Sequence, residues 1–180
     1  MSTLKVDTIL KRTGTGTITL GQSGDTIDLS NPTSVTLNST MKNRPALLVT
    51  NSGNQSIGNA SNTLVTFDTE TVDTNSAFAS NVFTVPSGEG GMYFISFRGA
   101  MQGIDAGEFI QLRIYLNGSA VDFFENRMTA YTTDVEFKFS GSGALNLSAA
   151  DTISYYVYQN SGDSQNLTNA GLYMFKLLGA

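Results

Sequence analysis

The chain has 180 residues, 40% of them hydrophobic, which suits one globular domain with an appendage. Ten Lys and Arg against fifteen Asp and Glu give a net charge of -5, with no Cys and no His; this disfavours nucleic acid as a partner, excludes disulfides, thiolate metal sites and nearly all zinc chemistry, and leaves no cofactor expected. No apolar run approaches the about 18 residues a membrane span needs, and the polar start "MSTLKVDT" lacks the apolar stretch of a secretory signal, so neither membrane insertion nor signal-peptide export is expected.

Residues 2–29, "STLKVDTILKRTGTGTITLGQSGDTIDL", read as strands by residue type yet hold few large apolar side chains. A short repeat runs through and just beyond them: "TITL" at 17–20, "TIDL" at 26–29 and "SVTL" at 34–37. Each copy sets two apolar side chains on one strand face, Ile18 with Leu20, Ile27 with Leu29 and Val35 with Leu37. "GQSGD" and "SNPT" supply turn residues between copies. Six aliphatic groups, at about 25 cal/mol per Å² buried, fall far short of offsetting about 1–2 kcal/mol of backbone entropy per ordered residue. The alternation and the scarcity of charge argue against plain disorder. Residues 1–43 are therefore expected to form a small β-rich anchor in which segments from several chains intertwine and share one core.

Charge is unevenly spread. Residues 1–44 carry five basic side chains (Lys5, Lys11, Arg12, Lys42, Arg44) against three acidic ones (Asp7, Asp25, Asp28), giving +2 and leaving -7 for the remainder. Such asymmetry suits one end docking on an acidic surface and the other facing solvent. "GTGTITLGQSG" is glycine-rich but has no GK[ST] element and no following helix pattern, so it does not read as a phosphate loop.

From Pro45 onward, aromatics recur at strand spacing with turn residues between them. Strands are expected near 45–50, 63–68, 82–85, 92–101, 108–116, 121–127, 133–139, 144–147, 152–159 and 171–178, and no stretch sustains a helical period. Ten antiparallel strands over 44–180 predict an all-β jelly-roll sandwich. "DVEFKF" alternates most cleanly, with Val135, Phe137 and Phe139 on one face and Asp134, Glu136 and Lys138 on the other.

"MYFISF" and "GLYMFKLL" are apolar on both faces, whereas a sandwich covers only one face of each sheet. Met92, Phe94, Leu172, Met174 and Leu178 are therefore expected to need a second cover, for which a neighbouring subunit is the natural candidate.

The motifs of residues 44–180 resemble those of the trimeric jelly rolls related to the complement C1q globular head and tumour necrosis factor. "RPALLV" and "NTLVTFDTETVDTNSAF" are similar to the family's opening strands and the loop after them. "FTVPSGEGGMYFISFRGAM" resembles its Phe strand, Pro/Gly turn and Gly-apolar-Tyr-Phe signature. "LRIYLNGSAV" is similar to its Asn-Gly hairpin, "GALNLSAADTISYYVY" to its Leu-x-Leu, turn, Asp, strand element, and "GLYMFKLL" to its closing strand. The turn at Ala149-Ala150-Asp151 departs from it, since Gly before the Asp is usual. The resemblance implies a homotrimer centred on the closing and Gly-x-Tyr-Phe strands. The opening "STLKVDTI...GTGTITLG" resembles the N-terminal segment of small virion proteins of tailed bacteriophages, notably those of marine bacteria and cyanobacteria. That implies a particle-attached protein displaying a jelly roll outward.

Two clusters have candidate chemistry. "FDTETVD" sets Asp68 and Glu70 two apart with Asp73 close behind, and paired carboxylates hydrolyse glycosides. No aromatic sugar groove surrounds them, so a solvated strand edge is the expectation. "NSGDSQN" at 160–166 offers oxygen ligands, yet lacks full calcium-loop spacing. The expected function is thus a non-enzymatic virion surface protein, a capsid decoration (cement or head-fibre) protein. Its residues 1–43 would attach it to the major capsid protein or another virion protein. The alternative is a receptor-binding short tail fibre or fibre tip, recognising a host surface glycan or protein through loops at 51–62, 102–107 and 160–170. A polysaccharide-cleaving enzyme is a third reading.

Overall fold

A computed structural model describes residues 45–179 of the chain, with the backbone alone at Val135, Leu178 and Gly179. The expected anchor and its core positions Ile18, Leu20, Ile27, Leu29, Val35 and Leu37 lie outside the described residues. Thirteen strands follow one another among those described: β1 (Ala46–Thr50), β2 (Gln55–Ile57), β3 (Thr63–Leu64), β4 (Thr69–Asp73), β5 (Phe78–Ala79), β6 (Val82–Thr84), β7 (Gly91–Ile104), β8 (Phe109–Leu116), β9 (Ser119–Ala120), β10 (Asn126–Thr129), β11 (Val135–Leu147), β12 (Thr152–Gln159) and β13 (Gln165–Gly179). They form two sheets. The first runs β11-β7-β13-β1-β4 with β2 also on β13; the second runs β10-β8-β12-β6-β5 with β3 on β12 and β9 on β8.

Every pairing between these strands is antiparallel. The all-β jelly-roll sandwich expected from the sequence is therefore present, with a different strand count. Residues 133–139 and 144–147, read as two strands, are one: the glycines between them do not turn. Gly141 stands opposite Phe97 and Gly99 opposite Phe139, and a Cβ at either glycine would lie 2.4 Å from the facing ring. Each glycine thus makes room for an aromatic ring from the neighbouring strand. Residues 121–127 also differ, because Asp122–Phe124 forms a 3-10 turn that seats Phe124 in the core before β10 begins. The strands β2, β4, β5 and β9 are too short or too polar for an alternation pattern to reveal them.

The core lies between the sheets and alternates along each strand as a pleated backbone requires. Tyr93, Ile95 and Phe97 of β7 meet Ile110, Leu112 and Ile114 of β8 and Ile153, Tyr155 and Val157 of β12. In β11, Phe139 is buried while Glu136 and Lys138 face solvent. Asn117 and Gly118, both at positive φ, close the β8–β9 hairpin as an Asn-Gly pair does in a tight primed turn. At Ala150 the backbone takes φ 71, a left-handed conformation a glycine would adopt freely. It is held by the Ala150 amide donating to Val85 at 2.9 Å and by Asp151, which accepts from Ser148 N at 2.7 Å and Asn117 Nδ2 at 2.8 Å.

Two core tyrosines give the fold a directional pH response. Burial, and secondarily the Glu89 carboxylate, pushes the Tyr93 phenol up to about 12 from an ordinary 10.0. Tyr155, fully enclosed, is pushed up by burial as well. A raised folded pKa means that the ionised form is favoured in the unfolded chain. Stability is therefore intact below pH 10.0 and falls as pH rises toward 12. Thermal midpoints measured across this range should hold steady to about pH 9.5 and then decline, with a shallower decline in Tyr93→Phe. A flat profile through pH 11.5 in the parent protein counts against this burial effect.

Candidate functional site

Large apolar side chains are exposed among the described residues at Phe123 in the 3-10 turn, at Tyr131, and at Phe175 and Leu177 on β13, where the outward face of the first sheet carries a row of them. On β7, Met92 and Phe94 alternate with the buried Tyr93 and Ile95 and lie half-buried on the outside. On β13, Leu172 and Met174 are 0% and 1% exposed and belong to the core, which corrects their expected place beside Met92 and Phe94. The register gives the reason. Leu172 stands opposite Phe97 and Met174 opposite Ile95, and opposed residues on neighbouring strands share a face.

The outward positions on β13 are instead Tyr173 and Phe175. Phe175 is 45% exposed and, beyond the irregularity at Lys176, Leu177 is 39% exposed. The sequence reading missed both. Alternation counted from Phe94 cannot find them, because "GLYMFKLL" carries large apolar groups at every phase. Of Leu178 the structure gives the backbone alone, opposite Met92.

Across the sheet, Ala144, Phe94, Phe175 and Ala46 form one row of cross-strand partners. The Phe94 and Phe175 rings lie 5.2 Å apart, and Leu48 lies opposite Tyr173 in a neighbouring row. The second sheet's outward face differs. There Phe109 stacks on Tyr158 at 5.7 Å, Tyr115 meets Tyr156 at 4.2 Å, and Arg127 covers Phe109 at 3.6 Å. Arg113 pairs with Glu125 at 3.3 Å in the same region, and Gln111 donates to Glu125. These aromatics cover one another and are only half-exposed.

The carboxylate cluster is occupied by backbone. Asp68 accepts from Ser52 N at 2.9 Å and Ser52 Oγ at 2.7 Å. The Ser52 hydroxyl, then its amide, hold the Asp68 carboxyl below the usual range. Asp73 accepts from the amides of Ala77 and Phe78, each at 2.9 Å. Glu70 is exposed on β4 opposite Val49. Two of the three carboxylates therefore fasten separate loops.

In loop 160–166 the organiser is the buried Gln159. Its Nε2 donates to Ile57 O at 3.1 Å and Asp163 O at 2.7 Å, and its Oε1 accepts from Ser161 N at 2.6 Å. No group of three or more His, Cys, Asp or Glu able to hold a metal occurs among the described residues. The expected recognition loops are partly strand: Gln55–Ile57 pairs with Gln165–Leu167, and β7 runs through to Ile104. All the same, they lie together at one end of the sandwich. Gly162 N donates to Asn59, Gln165 lies over Gly103, and Asp134 N donates to Asp105 at 2.7 Å. Tyr131, on the neighbouring β10–β11 connection, is 94% exposed.

No protein-family model matches the chain, and no curated protein matches it. Among solved structures it is similar to the globular domain of zebrafish complement 1qA protein, at 19% identity with TM-score 0.59, over 76% of this chain and 99% of that one. It is also similar to murine APRIL at pH 8.0, at 14% identity with TM-score 0.52, over 75% of this chain and 100% of that one. Set beside two antiparallel sheets in this order, those likenesses establish the fold: the chain carries a jelly roll of the kind found in complement C1q and tumour-necrosis-factor-like proteins.

Proposed function

We propose that the protein is a non-enzymatic structural subunit on the surface of a bacteriophage particle. It is a homotrimer whose heads pack through the outward face of the first sheet, and residues 1–43 fasten it to the major capsid protein or another virion protein. The observation that carries the assembly is the outward row around Phe94 and Phe175, where apolar rings stand uncovered on a face whose other side is the core. The likeness of the opening segment to small phage virion proteins supports attachment to a particle. Capsid decoration is favoured over a tail fibre because these 180 residues contain no long shaft repeat. The exposed Tyr131, beside the clustered loops, favours the second reading, a tail-borne receptor binder.

The test adds the full chain, and a chain beginning at Lys42, to particles that lack the protein. Density distributed over the capsid from the full chain alone supports decoration. Density confined to the tail transfers the assignment to receptor binding, and equal attachment by the shortened chain overturns the anchoring role of residues 1–43. Sedimentation at low micromolar concentration should give three times 19.2 kDa; a stable, soluble monomer sinks the assembly.

A further inference from the structure

Along β7 the outward face changes character. Past the apolar row lies a cleft of about 370 Å³ lined by Arg98, Gly99, Ala100, Lys138, Phe139, Ser140 and Asn169. Its construction is local. The pairing of β13 with β7 is irregular between Thr168 and Gly171, where Asn169 takes φ 52, and the floor residues Gly99 and Ala100 are too small to fill the gap. A Cβ at Gly171 would sit 3.0 Å from the Tyr173 ring and 3.3 Å from Arg98 Nε. The bare glycine thus lets Arg98 lie across β13 with its guanidinium 5.5 Å over Tyr173.

Charge makes the cleft unusual for this head. Beyond residue 44 the chain carries five Lys and Arg against twelve Asp and Glu, yet two of those five cations line this one cleft. Arg98 is exposed and has no carboxylate within ion-pair distance among the described residues. Arg113 and Lys176, by contrast, are each matched with a glutamate. Lys138 pairs with Glu136 at 3.5 Å, with both side chains largely exposed, a solvent-screened surface contact that holds the lysine only weakly. Arg98 lies opposite Ser140 and Ala100 opposite Lys138, so Arg98 and Lys138 occupy diagonal positions on one face of the sheet. Further along the same face, a second hollow of about 310 Å³ is lined by Asn54, Gln102, Gln165, Asn166 and Thr168, with Asp134 as its one carboxylate.

We propose that this cleft binds the carboxylate or sulfate group of an acidic saccharide. The planar fork of Arg98 takes the oxyanion in the bidentate geometry suited to it, Lys138 adds a second charge, and Ser140 and Asn169 supply hydrogen bonds at the rim. The amide-lined hollow takes the hydroxyls of the adjoining sugar. A bare ion would use only the charges and leave the apolar floor and the neighbouring amides without a role. The site is separate from the Phe94–Phe175 row and goes beyond the assembly proposed above.

The experiment is calorimetric titration of the full chain at low salt with trigalacturonate, a sulfated heparin disaccharide, uncharged maltotriose and sodium sulfate. Expected is binding of at least one charged saccharide at about 1 mM or tighter. That affinity should weaken at least about tenfold in Arg98→Ala and in Lys138→Ala, and fall with added salt. Gln102→Ala should weaken the saccharide without affecting sulfate. Phe175→Asp, which tests assembly, should leave binding intact, so failure of one proposal is distinguishable from failure of the other. The proposal is overturned if neither charged saccharide binds or if both cation variants bind as the parent does. Sulfate or maltotriose matching the charged saccharide also overturns it. So does Arg98→Glu splitting the assembly, which would show that a carboxylate of a second copy fills the cleft.

Discussion

Phe175→Asp is expected to turn the proposed trimer into a folded, soluble monomer sedimenting at 19.2 kDa. Phe175 is 45% exposed in the single chain, so a carboxylate at that position stays hydrated when the chain is alone and disturbs the core little. Once a neighbour covers the row, the same carboxylate is buried against the Phe94 ring of its own chain and the apolar face of the next. An uncompensated buried charge costs about 3–5 kcal/mol, and at about 1.4 kcal/mol per tenfold change that weakens each contact by two orders of magnitude or more. Phe94→Asp should behave alike, since the two residues are cross-strand partners. If Phe175→Asp retains the parent's mass at low micromolar concentration, the contact face lies elsewhere on the head.

Leu172→Ala should do the opposite, weakening the chain itself. Leu172 has no exposed surface and stands between Val49 and Phe97. Truncating a buried leucine removes about 2–5 kcal/mol through lost burial and the cavity left behind. Because folding and association are linked in an oligomer, the clean measurement is urea unfolding of Leu172→Ala in the Phe175→Asp background. The midpoint should fall with the slope unchanged. A variant whose mass changes while its monomer stability does not would return Leu172 to the outward face.

Residue type and spacing were enough to predict an antiparallel all-β head, the strands near 108–116 and 152–159 and the inward Phe139 of "DVEFKF", while the Asn-Gly hairpin came from the family resemblance. Each of those depends on local alternation or local turn chemistry, and a strand's period is set by its own backbone. Elements that depend on a partner strand were not legible. Gly141 and Gly143 look like a turn in isolation, yet sit mid-strand because Phe97 and Phe124 occupy the space their side chains would take. The cluster of Asp68, Glu70 and Asp73 reads from sequence as a solvated strand edge, and only the chain's return path brings Ser52 onto Asp68 and the amides of Ala77 and Phe78 onto Asp73.

On β13 the sequence determined that both faces are apolar, and hence that one of them asks for a cover from outside the sandwich. Which residues lie on which face was decided by tertiary register. The pairing of Leu172 with Phe97 and of Met174 with Ile95 draws those two into the core and turns Phe175 outward beside Phe94. A shift of one residue would exchange the faces with little change in apolar content, so the choice rests with the fit of the neighbouring strands.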